Sequence, residues 1–249
     1  MARIALSDWS VENFRLTAFP VAGASERRPE WFEAATGAEP DQVIANPKLG
    51  SARAVGTVGA GKLTLRLEPE RIDWFLEPPD REEGVPPVDM PSIGDVSATW
   101  ALFEPMMTKW LGDPSLPDFS RLAFGAVLHH TELDRKAGYE RLPDYVPVQV
   151  DAESASDFLF QVNIPTISKR PLAGLKLNRL TTWSVAAWRM LAFANGQTSL
   201  RPPVFALRVE LDVNTAPEPA RVLPRHELTA LFAELSAEGF RVATNGLNG

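Results

Sequence analysis

The sequence predicts an α+β protein built from two similar halves. Helical hydrophobic patterns are grouped between runs of strand-like residues and do not alternate with them one for one, which is typical of α+β domains. Both halves show the order strand, helix, about three strands, helix. Of the 249 residues, 45% are apolar and 23% are charged, as in ordinary globular domains. We therefore expect antiparallel sheets backed by helices, with one half at 1–120 and the other at 121–249.

The first half is predicted to start with a strand, a short helix and three more strands. These lie at Phe14–Phe19, Pro29–Thr36, Ala52–Val58, Lys62–Leu67 and Ile72–Leu76. Leucine alternates with polar residues at 63–67, the period-two pattern of a half-buried strand. Segment 78–91 contains five prolines, which exclude it from the interior of a helix or sheet. We expect an acidic, proline-rich loop there.

A helix is predicted at 93–111, after this loop. Apolar residues recur at three- and four-residue spacing, as on one face of a helix: Ile93, Val96, Trp100, Phe103, Met107 and Trp110. Ser92 and Asp95 resemble a capping box at its beginning. Pro105 is predicted to kink or split this helix.

The second half is predicted to repeat the same order. Its elements are Arg121–His130 (strand), Arg135–Leu142 (helix), Asp157–Asn163 (strand), Leu177–Phe193, Phe205–Val213 (strand) and a C-terminal helix. Segment 177–193 has features of both strand and helix, and its first part favours a strand. The helix carries Leu228, Leu231, Phe232 and Leu235, and is predicted to begin at Pro224 and end at Gly239.

Two stretches resemble an uncharacterised, sporadically distributed bacterial family of two-half α+β proteins. They are helix 93–111 with the Arg121–Val127 strand, and the late strand ending Leu211-Asp212-Val213 before a terminal helix. Gly125–His130 stands where that family carries Arg-Tyr-x-Asn-Arg. The resemblance implies the two-half fold, and it implies no functional residue because the family has no established activity.

Composition excludes several classes of protein and site. The chain has no cysteine, which excludes disulfides, thiolate metal sites and cysteine nucleophiles. No apolar run approaches the ~18–20 residues of a membrane helix. The N-terminal residues lack the apolar core of a secretory signal. We expect a cytoplasmic protein without a membrane partner.

A glycine-rich stretch at 56–62 matches part of a phosphate-binding loop. Leu63 follows it, where that motif needs a serine or threonine for Mg²⁺. The next residues alternate like a strand, whereas a phosphate cradle needs a helix N-terminus at this point. The sequence therefore predicts a hairpin turn at Gly59–Gly61.

A second candidate site is the histidine-rich stretch at 129–134. If the chain is extended there, His130, Glu132 and Asp134 share one face and resemble metal ligands or an acid–base pair. The two adjacent histidines would point to opposite faces, and the third histidine is distant, at position 226. Asp134 also fits the N-cap of the next helix. We predict no catalytic residue, no metal site and no cofactor.

Charge is unevenly distributed along the chain, whose net charge is −7. Residues 1–120 carry 19 acidic and 11 basic residues, whereas the 52 residues from 158 to 209 have no acidic residue and seven cations. Such segregation recruits anionic partners. Either these cations neutralise the acidic half within the molecule, or they form a binding surface. The candidate surface residues are Lys176, Arg179, Trp183, Trp188, Arg189 and Arg208.

These features predict a non-enzymatic accessory protein that acts as a subunit or adaptor in a bacterial protein complex. Arg179, Trp183 and Arg189 would be the anchors, because Trp and Arg dominate interface hot spots. The alternative is a protein that binds, or acts on, a small anionic ligand in a groove between the two halves. A third hypothesis is that single-stranded nucleic acid binds the basic segment 158–209 through its arginines and tryptophans.

Overall fold

The structure is a computed structural model of the whole chain. It describes residues 3–21, 28–80, 90–189, 191–194, 197–200, 202–218 and 220–247. Most of the proline-rich segment 78–91 and the cation Arg201 lie outside the described residues.

Among the described residues, the first 120 positions contain two α-helices, five strands and the start of a sixth. These are β1 (Ser10–Pro20), α1 (Trp31–Thr36), β2 (Gln42–Asn46), β3 (Ser51–Val58), β4 (Gly61–Glu68), β5 (Arg71–Glu77), α2 (Val96–Leu111) and the start of β6 (Phe119–Glu132). The remaining elements are α3 (Arg135–Arg141), β7 (Leu159–Asn163), β8 (Thr166–Ile167), β9 (Lys176–Trp188), β10 (Leu191–Ala194), β11 (Gln197–Leu200), β12 (Val204–Thr215) and α4 (Leu228–Asn245).

Ten of the described strands form one antiparallel sheet. Their order is β2-β3-β4-β5-β1-β6-β12-β9-β7, with the short β8 also paired to β9. Strands β10 and β11 form a separate two-stranded antiparallel sheet. At the centre of the large sheet β1 pairs with β6, so the sheet is continuous across the predicted boundary at residue 120.

The four α-helices among the described residues pack on one face of this sheet. Alternate strand residues point into that face, as the two-residue period of a strand requires. The core there is aromatic, with ring contacts among Phe14, Trp100, Phe103, Phe124, Phe232 and Phe240. The opposite face carries no helix from the described residues, and we call it the open face. The predicted α+β class with an antiparallel sheet and helices is confirmed.

Helix α4 is longer than predicted. Gly239 was expected to end it, but the helix continues to Asn245 and ends at Gly246, whose φ of 69° is the left-handed value that favours glycine. Gly239 instead lies where the helix approaches the sheet. A Cβ atom there would be 3.1 Å from the ring of Phe124. The missing side chain therefore serves close packing and does not end the helix.

Helix α2 also differs from the prediction at two points. Asp95 is its N-cap and accepts a hydrogen bond from the Ala98 N–H at 2.9 Å, whereas the Ser92 hydroxyl accepts one from the Gly94 N–H. The helix then runs through Pro105 without being split. A proline inside a helix removes one hydrogen bond, and packing of the apolar face against the core holds the helix together regardless.

Strand β2 was not predicted. Its sequence, Gln-Val-Ile-Ala-Asn, shows no alternation of buried and exposed residues, because all five are exposed. The strand exists because it pairs with β3 along its whole length.

Segment 177–193 is a strand up to Trp188, in agreement with the preference stated for its first part. Among the described helices, none is long and apolar enough to cross a membrane.

Candidate binding trough

A trough crosses the centre of the open face, where strands from residues 1–120 meet strands from 121–249. Its volume is about 380 Å³. Antiparallel register places its lining in two rows. One row contains Phe75, Arg15, Gly125, Asp212 and Leu180, and the other contains Glu77, Asn13, Val127, Glu210, Thr182 and Gln161. We call these residues the trough.

The floor of the trough is formed by Gly125 on the central strand β6. The side chain of Arg15 lies over it, and a Cβ atom at position 125 would be 3.1 Å from the Arg15 Nε atom. Because glycine leaves this space free, Arg15 reaches across β6 and donates a hydrogen bond from Nη2 to Asp212 Oδ2 at 3.1 Å. One glycine therefore permits an ion pair between strands β1 and β12, which are not neighbours.

The three carboxylates of the trough each have a cation beside them. Asp212 is bonded to Arg15, Glu77 Oε1 lies 3.3 Å from Lys62 Nζ, and Glu210 is bonded to Arg208. Burial lowers the pKa of Arg208, but hydrogen bonds to Glu12 and Glu210 outweigh that effect and raise its pKa above the usual value. These partners balance the charge of the trough, so it presents no surplus of cations.

Three polar side chains of the trough have no hydrogen-bond partner among the described residues: Asn13, Gln161 and Thr182. The Nε atom of Arg15 is buried and also lacks a partner. Two amides and a hydroxyl supply both donors and acceptors. The trough can therefore hold a polar molecule through hydrogen bonds. Among the described residues no group of three His, Asp or Glu side chains could hold a metal ion.

Two of the six residues that the sequence predicts for the binding surface instead make contacts inside the protein. Trp183 is fully buried and stacks on Tyr145, with ring centroids 4.7 Å apart. Arg179 lies on the helix-covered face, where its Nη1 donates to Glu238 of α4 at 3.2 Å. Both residues contribute to packing of the helix layer against β9.

The other four predicted residues lie apart from one another. Arg208 is on the open face and binds Glu12 with Nε–Oε2 at 2.8 Å. Lys176 and Arg189 are exposed but lie at opposite ends of β9, and Trp188 is half-buried at the Arg189 end. The structure does not bring the six residues onto one surface, because consecutive positions of a strand point to opposite faces.

The histidine-rich stretch is extended, and its two adjacent histidines point to opposite faces. His130 Nδ1 lies 3.1 Å from Glu132 Oε1, and the same carboxylate accepts a hydrogen bond from Arg141 Nε at 2.6 Å. Asp134 caps α3 by accepting from the Ala137 N–H, as predicted. His129 is buried on the open face, and this burial is the main reason why its pKa is lowered.

The glycine-rich stretch forms the predicted hairpin turn. Strand β3 ends at Val58, β4 begins at Gly61, and Gly59 between them has a φ of 55°. No helix follows these glycines, so the phosphate-binding arrangement is absent from this segment.

Sequence reasoning missed most of the trough. Glu210 and Asp212 lie two positions apart on one strand beside Arg208, a pattern that usually indicates a solvated sheet face, and no motif singles out Asn13, Gln161 or Thr182. Gln161, Glu210 and Asp212 alternate with apolar residues along their strands, and this alternation predicts which face of the sheet each of them occupies. Which of these positions are neighbours depends on the order of the strands, and the linear pattern does not contain that order.

Comparison with known proteins adds no relative from which a function could be inferred. No protein-family model matches the chain, and neither a curated protein nor a solved structure matches it. The resemblance to an uncharacterised bacterial family stays a prediction. A functional proposal must therefore be argued from the side chains of the trough.

Proposed function

We propose that this protein is a non-enzymatic binding protein that holds a small polar molecule in the trough. The observation that carries the proposal is the set of free hydrogen-bonding groups on Asn13, Gln161 and Thr182 around a floor already organised by Arg15 and Asp212. The volume lies near the lower end of the range for small-molecule sites, roughly 300–1,000 Å³. Phe75 and Leu180 add apolar contact area at opposite sides.

The charge of the trough favours an uncharged or zwitterionic ligand. Three carboxylates and one guanidinium line it directly, and each carboxylate already has a cation beside it, so these cations are not free to bind an anion. This differs from the anionic ligand expected from the acid-free segment. Two cations beside the trough, Lys62 and Arg208, are bonded to its own carboxylates. Nucleic-acid phosphates would likewise find these cations already paired.

We also propose that the sheet consists of two equivalent halves that meet where β1 pairs with β6. This organisation would explain why the trough lies at the centre of the sheet. Outward from the central pair, the strand order is β1, β5, β4, β3, β2 on one side and β6, β12, β9, β7 on the other, with the short β8 also paired to β9. In each half a helix follows the strand that comes first in sequence, and another helix follows the strand that comes last. These helices are α1 and α2 after β1 and β5, and α3 and α4 after β6 and β12. This shared order supports two equivalent halves, with the predicted groove between them.

A role as a subunit or adaptor in a protein complex is our second candidate. Its support comes from the free edge of the sheet at β2, whose five residues are exposed. The acid-free segment supports it less, because Trp183 is buried and Arg179 is bonded to Glu238.

Thermal-shift screening followed by calorimetric titration tests the ligand proposal. The screen should compare uncharged, zwitterionic and anionic metabolites, and we expect a saturable rise in melting temperature from one of the first two classes. Thr182→Val removes one hydrogen bond and should weaken binding about 2- to 10-fold. Gly125→Val places a side chain where Arg15 lies and should weaken binding more than tenfold.

Ser184→Ala is the matched control, since Ser184 lies on the same strand and face but outside the trough. It should bind the ligand like the wild type. The proposal fails if the only saturable ligands are anions, or if both trough variants bind as tightly as the control.

A further inference from the structure

Strand β2 is an unprotected edge of the ten-stranded sheet. It stands at the end of the strand order and pairs only with β3 among the described strands. Val43 and Ile44 are 51% and 49% exposed. Edge strands normally carry charges, prolines or bulges that prevent pairing with another chain. Gln-Val-Ile-Ala-Asn has no charge and no proline, so this edge is open to strand addition.

The residues that flank β2 have opposite charges. Glu39 and Asp41 precede the strand, and Lys48 follows it. Among the described residues neither Glu39 nor Lys48 forms an ion pair, while Asp41 accepts hydrogen bonds from Thr57. A strand with an acidic beginning and a basic end is complementary to an antiparallel copy of itself.

We propose that two copies of this chain associate through β2, in antiparallel pairing centred on Ile44. Ile44 of one copy then lies opposite Ile44 of the second copy. The turn at 47–50, which carries Lys48, then comes next to the segment of the second copy that carries Glu39 and Asp41, and twofold symmetry repeats this contact at the other end. Pairing covers the exposed Val43 and Ile44 and satisfies the free backbone groups of both edges.

The interface is short, so the dimer is weak and reversible. Five residues a side bury far less than the roughly 1,200 Å² at which stable interfaces begin. The dimer does not depend on what the trough binds, because the trough lies at the centre of the sheet and β2 lies at its edge.

Sedimentation velocity of the full chain over roughly 1–500 µM, the range suited to a weak interface, tests the inference. The wild type should shift from monomer to dimer as concentration rises. Ile44→Lys and Ile44→Glu each place like charges opposite one another and should stay monomeric. An equimolar mixture of the two variants should regain the dimer, because lysine then faces glutamate.

Leu159→Lys is the control, since Leu159 is 63% exposed on β7 at the other end of the sheet. This variant should dimerise like the wild type. Circular dichroism and the melting temperature show that the Ile44 variants are folded. A wild type that is monomeric throughout the range overturns the dimer. A mixture that stays monomeric while the wild type dimerises overturns the pairing centred on Ile44.

Discussion

Gly125 shows how a single residue shapes the candidate site. Any side chain at this position would meet the guanidinium of Arg15, with the first contact at 3.1 Å. Because glycine has no side chain, Arg15 can cross the central strand to Asp212, and a depression is left in an otherwise continuous sheet. Glycine usually weakens a strand. Here it marks the place where another group comes close to the backbone.

His129 makes stability depend on pH. Burial lowers its pKa below the ordinary value of 6.5, the charges of Arg208 and His130 lower it further, and Glu12 opposes them. The unfolded chain therefore takes up this proton at a higher pH than the folded chain does. The stabilising effect of a neutral His129 is present above about pH 6.5 and is lost as pH falls below it.

We expect the wild type to lose more thermal stability than His129→Gln between about pH 7.5 and pH 5.5, the interval around the ordinary histidine pKa. Differential scanning calorimetry at both pH values measures the difference. His226→Gln is the control, because the His226 side chain is 81% exposed. Equal losses in the wild type and in His129→Gln would contradict the prediction.

At the scale of elements, packing decides where the helices begin and end. Helix α2 continues through Pro105, and α4 continues through Gly239, although both residue types commonly end helices. In each case an apolar face packs against the core, with Phe103 and Met107 buried in α2 and Leu235 and Val242 in α4. Tertiary burial outweighs the local cost, since propensity is a weak determinant of helices in proteins.

Pro105→Ala should stabilise the protein. Pro105 is exposed in the interior of α2, so the replacement restores a backbone N–H without disturbing the core. An interior proline costs a helix about 3 kcal/mol, part of which is already offset by its stiffening of the unfolded chain. We expect the free energy of unfolding to rise by about 1–3 kcal/mol in urea titrations. Lys109→Ala, also exposed on α2, should change it by less than ~0.5 kcal/mol, and an unchanged midpoint for Pro105→Ala would contradict the argument.

At the scale of the whole molecule, the uneven charge of the chain is partly neutralised by the fold. Arg208 belongs to the acid-free segment, and it binds Glu12, which lies 196 positions earlier in the acidic part of the sequence. Both side chains are about four-fifths buried. Of the two outcomes considered for the basic segment, neutralisation within the molecule therefore applies to Arg208. Arg189 and Lys176 remain exposed.

Arg208→Met should destabilise the protein, because it leaves Glu12 without its charged partner in a largely buried position. Hydrogen bonds to charged groups contribute about 1.5–3 kcal/mol, and we expect a loss of that size in chemical denaturation. Arg189→Met removes an exposed cation from the same segment and should cost less than ~0.5 kcal/mol. If both substitutions lowered the free energy of unfolding equally, the Arg208–Glu12 pair would not contribute to the stability of the protein.

Local pattern predicted the fold better than the site. The alternation of Leu63, Leu65 and Leu67 located β4, and Asp134 was identified as the cap of α3. Strand β2 escaped detection because its residues are exposed on both faces. The prediction of one basic surface treated neighbours in sequence as neighbours in space. In a strand they point to opposite faces, which is why Val209 lies in the core beside Trp183 whereas its neighbour Arg208 is on the open face.

The sequence by itself determined the α+β class, most strands and helices, and which side chains of each strand share a face, because these follow from periodicities of two and 3.6 residues. Only the tertiary structure decided which strands are neighbours. Hydrogen-bond pairing of β1 with β6 and of β6 with β12 places Asn13, Gly125 and Asp212 in one trough. Such contacts join residues up to about 200 positions apart, and no local pattern encodes a pairing at that distance.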